Sequence, residues 1–167
     1  MKNFKNWKVI SALVLVAVLA SLGGMQVAAS DNRSEVAGGD VIFTKWVTTA
    51  GTAPVVLNME GVVSGDSGPG KFTGEVLEYN NPTAPISTIV ADYRIHGKTH
   101  DFTARLNVTM DNTKGTGVLK GTVTEGWMKG AAVSGDFQVI APSGIINAQQ
   151  GVAGDVAFQG TLHIQRR

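Results

Sequence analysis

Four polar side chains in this sequence stand in phase with apolar neighbours: Glu78, Tyr93, His100 and Glu125. A β-strand sends successive side chains to opposite faces, so all four are expected to turn inward with the apolar set. A carboxylate buried near an imidazole shifts both pKa values and can move protons. Glu125 is expected beside Phe102 and one strand from His100, toward the same rim. There the two would act as an acid–base pair, or as a hydrogen-bonded pair with no ligand. Trp127, flanked by glycines in Gly126-Trp127-Met128-Lys129-Gly130, would cap one end of the fold or line a ligand mouth. The candidate ligand-contacting residues are therefore Glu78, Tyr93, His100, Phe102, Glu125 and Trp127.

Other chemistry is argued against by spacing. Gly65-Asp66-Ser67-Gly68 has the form of a serine-protease nucleophile loop, which needs a histidine base and an aspartate to orient it. In those enzymes both precede the serine, but here the first histidine is His96. A Gly-Pro turn between strands is the reading that fits. Gly65 to Lys71 matches part of a phosphate loop, yet Phe72 stands where magnesium needs a hydroxyl, and a strand follows in place of a helix. The histidines His96, His100 and His163 fall on different faces, whereas a metal needs three or four converging ligands. With no cysteine in the chain, thiolate metal sites and disulfides are absent. No cofactor is implied.

Lys2, Lys5 and Lys8 precede an apolar run from Val9 to Leu22, and small residues follow to Ala29. That order is the signature of a secretory signal peptide. The run is shorter than the roughly 20 residues of a membrane span. Cleavage is expected near Ala29, giving a secreted or periplasmic protein that meets a membrane only through its leader. Removing residues 1–29 leaves 138 residues with 11 basic and 13 acidic side chains, a net charge of −2. No Lys/Arg cluster appears, so nucleic acid is not an expected partner. Asn32-Arg33-Ser34 and Asn107-Val108-Thr109 match glycosylation acceptors, but the leader looks bacterial and they carry little weight.

The elements that must position the candidates are strands. After a polar lead over residues 30–40, turn residues separate Val41–Thr48, Val55–Ser64, Lys71–Tyr79, Ser87–His96, Thr99–Met110, Gly117–Glu125, Ala131–Ile140 and Val156–Gln165. Such regular punctuation predicts an all-β domain over residues 41–167, a closed antiparallel eight-stranded barrel, with a two-sheet β-sandwich as the alternative. No stretch of it shows a helical period. If Gly97-Lys98 is a two-residue turn with Gly97 at positive φ, Tyr93 faces Phe102, Ile89 faces Leu106 and Arg94 faces Asp101. Apolar then meets apolar across the hairpin. In the first strand Phe43, Lys45 and Val47 oppose Ile42, Thr44 and Trp46, and the pattern leaves open which set faces inward. Gly61, Gly74, Gly121, Gly135 and Gly160 on the apolar face suggest tight coiling. An eight-stranded barrel encloses a space that side chains fill or that holds one small ligand.

Three segments carry a family resemblance: Ala91-Asp92-Tyr93, the Gly97-Lys98-Thr99-His100 turn, and Gly115-Thr116-Gly117-Val118-Leu119-Lys120-Gly121. Through them the stretch Ile86 to Gly135 resembles the allene oxide cyclase and dirigent group of eight-stranded barrels. The Gly126–Gly130 element is similar to one in bacterial exported proteins of this barrel type. The resemblance implies a barrel, a cavity that binds or cyclises a small apolar molecule, and a capacity to form homo-oligomers. It transfers no catalytic residue. Three functions therefore compete: a binding barrel for a small apolar or amphiphilic ligand, a cyclase or isomerase, and a structural or interaction protein with a filled interior. Without a complete catalytic constellation, binding or structure is favoured over catalysis.

Overall fold

A computed structural model describes residues 38–140 and 156–166 of the 167-residue chain. The expected leader, the first acceptor motif and most of the polar lead lie outside them. The described residues belong to the compact unit Glu35–Arg167. They form eight strands: β1 Gly38–Ala50, β2 Leu57–Gly65, β3 Gly70–Asn80, β4 Ile86–Gly97, β5 Asp101–Asp111, β6 Thr116–Gly126, β7 Ala132–Ile140 and β8 Ala157–Gln165. Each pairs antiparallel with its sequence neighbours, and β8 pairs with β1 to close the barrel. Closure leaves none of these eight strands as an edge that could template aggregation.

Period-2 patterning accounts for the interior. In β5, Phe102, Ala104, Leu106 and Val108 are buried, while Asp101, Arg105, Asn107 and Thr109 alternate with them toward solvent. In β4, Ala91, Tyr93 and Ile95 are buried in the same way. Aromatic rings fill the middle: Phe72 meets Tyr93 edge-on at 4.9 Å, and Phe43 lies 6.0 Å from Phe72. Gly160 makes room for them, since a Cβ there would fall 2.7 Å from Phe137 Cβ and 2.8 Å from Phe43 Cζ.

The β4–β5 hairpin departs from its expected register by two residues. His96 pairs with Asp101, Ile95 with Phe102, Tyr93 with Ala104 and Ile89 with Val108. A shift of two preserves the faces, so the apolar residues still point inward. The connection is wider because the β2–β3 loop occupies it: Thr99 and His100 amides donate to the Ser67 carbonyl at 2.9 and 3.2 Å, and Lys98 to that of Pro69 at 3.0 Å. Gly97 is required by close approach and not by positive φ, because a Cβ on it would meet the Ser67 oxygen at 2.1 Å. In this register Asp92 lies directly opposite Arg105, which grips it through two hydrogen bonds of 2.7 and 2.6 Å. Arg94 pairs with Glu75 across β3 at 2.8 Å, and not with Asp101.

Candidate functional site

The two ends of the barrel differ. At the end carrying the β2–β3, β4–β5 and β6–β7 loops, backbone hydrogen bonds stitch the connections together and Met128 and Ala131 plug the interior. Ser67 is fully buried there, its hydroxyl donating to the Gly68 carbonyl at 3.1 Å; it is a turn residue with no base beside it. Trp127 stacks on His100 at 4.2 Å with planes 2° apart, and Phe102 lies 6.1 Å from Trp127. Three candidates, His100, Phe102 and Trp127, thus gather at the closed end, and none of them lines the cavity described next.

The other end holds a cavity of about 120 Å³, lined by apolar side chains of all strands except β6. Val47, Leu57, Tyr79, Ile89, Met110 and Phe158 form its outer part and are half-buried. Ala91, Tyr93 and Phe137 lie deeper, together with one side chain that can carry charge: Lys45. Tyr93 is the only expected candidate on this wall.

Lys45 is buried among five aromatic rings. Its Nζ lies 4.1 Å from the Tyr93 ring centroid, 4.9 Å from Phe137, 5.4 Å from Phe43, 5.7 Å from Phe158 and 5.8 Å from Phe72. It hydrogen-bonds the Tyr93 hydroxyl, and among the described residues it has no carboxylate partner. Loss of hydration penalises the ammonium, so burial pushes the Lys45 pKa down to about 7. The ring faces attract whatever positive charge remains. At neutral pH the site therefore offers an ammonium with no counter-ion among the described residues, in balance with a neutral amine that can act as a nucleophile.

Lys45 was not among the residues expected here, because lysine belongs by default to a solvated face. The available signal was the Phe43-x-Lys45-x-Val47 phase: Phe43 is buried and Val47 lines the cavity. Trp46 obscured it, being buried as well although its side chain alternates with theirs and lies outside the main core cluster.

Glu78 and Glu125 are corrections. Both are exposed, and each lies next to a β-bulge that inverts the inward–outward phase. In β3 the extra residue is Leu77: Val76 pairs with Ala91 and Glu78 with Val90, so Tyr79 takes the inward place. In β6 the extra residue is Thr124. Ala104 pairs with Val123 but Thr103 with Glu125, turning Glu125 outward and leaving Gly126 opposite Phe102. The Glu125–His100 interior pair is therefore not formed. His96 and His163 are exposed, the latter bonded to Asp40 at 2.7 Å. No cluster of three potential metal ligands occurs among the described residues. Compared with protein-family models, curated proteins and solved structures, the chain matches none.

Proposed function

We propose that this barrel binds a small amphiphilic molecule, its apolar body in the cavity and its polar end against Lys45 and Tyr93. One observation carries the reading: an apolar cavity with its charge-bearing group at the inner wall rather than at the lip. Burying an amine with no carboxylate partner costs several kcal/mol, and a filled hydrophobic interior would avoid that cost. Retaining it suits a site where the polar end of a ligand engages the amine. A space of about 120 Å³ is near that of apolar cavities that hold a single benzene, so the enclosed part of the ligand has roughly six to eight non-hydrogen atoms. The leader and the resemblance to cavity-bearing barrels support an exported carrier or receptor of such molecules.

Hexan-1-ol tests this. Ligand that binds only the folded state raises Tm with concentration, so Tm of the native protein is expected to climb as hexan-1-ol is added. Ala91→Leu, whose added atoms project into the cavity, is expected to lose most of that rise. A native Tm indifferent to hexan-1-ol would overturn the proposal.

A further inference from the structure

We infer that the ligand class is a small apolar aldehyde, held by reversible imine formation on Lys45 Nζ with the Tyr93 hydroxyl as proton relay. This rests on the cavity-binding reading above and names the chemistry of the polar end. An acid would place a carboxylate beside the ammonium in a wall that offers its oxygens only Tyr93, and a buried ion pair is stabilising only when its remaining hydrogen-bonding groups are satisfied. An alcohol would leave the amine chemically idle. An aldehyde converts it into a neutral imine, which removes a buried charge from an apolar wall that holds no counter-ion among the described residues.

The depressed basicity of Lys45 supplies the free lone pair at neutral pH, and its ring-lined pocket sets it apart from exposed lysines such as Lys71, Lys98 and Lys120. The lone pair attacks the carbonyl carbon; a C–N bond forms, and the C=O π electrons move to oxygen, which takes the Tyr93 proton. One proton of the attached nitrogen returns to the Tyr93 oxygen. The nitrogen lone pair then forms C=N as the C–O bond breaks. The departing oxygen leaves as water with a second proton relayed through Tyr93, replaced by the last N–H proton. No electrons are gained or lost overall, and water is the sole by-product. An apolar cavity favours expelling that water and slows its return.

The full chain incubated at pH 7 with stoichiometric hexanal and sodium cyanoborohydride tests the inference by intact mass and peptide mapping. The expected result is one hexyl adduct per chain on Lys45, with at least tenfold less on any exposed lysine. Tyr93→Phe is expected to slow that adduct at least tenfold, and Lys45→Met to abolish it. Adducts spread over the exposed lysines with Lys45 unmodified would overturn the inference. If hexan-1-ol still raised the native Tm, cavity binding would stand without the covalent step; if it did not, both readings would fall together.

Discussion

Lys45 is the charge-bearing side chain buried in the cavity wall, and its protonation is coupled to the stability of the fold. In the unfolded chain its amine titrates near 10.4; in the fold, burial brings it down to about 7. Between those values the unfolded state binds the extra proton, so stability rises with pH from about 7 to about 10. Below pH 7 both states are protonated and the penalty is fully present. Lys45→Met should remove this rise. At pH 6 it should also stabilise the fold by about 1–3 kcal/mol, the relieved desolvation being partly offset by lost ring contacts and an unpartnered Tyr93 hydroxyl. Urea unfolding of both proteins from pH 6 to 10 checks this; parallel pH profiles would contradict it. Asp111 behaves oppositely: hydrogen bonds from Thr113 and Lys114 hold its carboxyl well below the usual range. Its contribution is therefore present at neutral pH and fades only in strong acid.

At the scale of elements, the hairpin and the bulges set what each residue faces. Gly97→Ala would drive a methyl into the Ser67 carbonyl, and the β2–β3 loop that seals one end would have to move. A loss of about 2 kcal/mol or more is expected in denaturant unfolding, and a neutral effect would contradict the close approach. The Asp92–Arg105 pair, although bidentate, lies on the outer surface with Arg105 half-exposed. A double-mutant cycle should therefore return only about 0.5 kcal/mol. The faces of β4 and β5 were legible in the sequence, because Ile89, Tyr93, Phe102 and Leu106 alternate with charge and a slip of two leaves alternation intact. The register was not, since a glycine at a hairpin suggests a turn former, whereas the contact that requires Gly97 comes from a loop some 30 residues earlier in the chain. Nor were the bulges at Leu77 and Thr124, which moved Glu78 and Glu125 outward. Adjacent Val76-Leu77 is a faint signal of the first; nothing local marks the second.

For the whole molecule, closure into eight strands separates a sealed end from a cavity-bearing one, an asymmetry that regular strand spacing alone does not contain. The barrel was legible from punctuation and alternation. The location of the cavity was not, because it depends on which end Met128, Ala131 and the stacked His100–Trp127 pair close. Candidates chosen by phase alone fell at both ends, and only Tyr93 reached the cavity wall. The most direct measurement is a crystal structure of the protein under xenon pressure, since xenon occupies dry apolar cavities. One interior xenon site is expected between Ile89, Met110 and Phe158, with the Lys45 amine still bonded to Tyr93 beneath it. An interior without xenon, or Lys45 turned out to solvent, would contradict it.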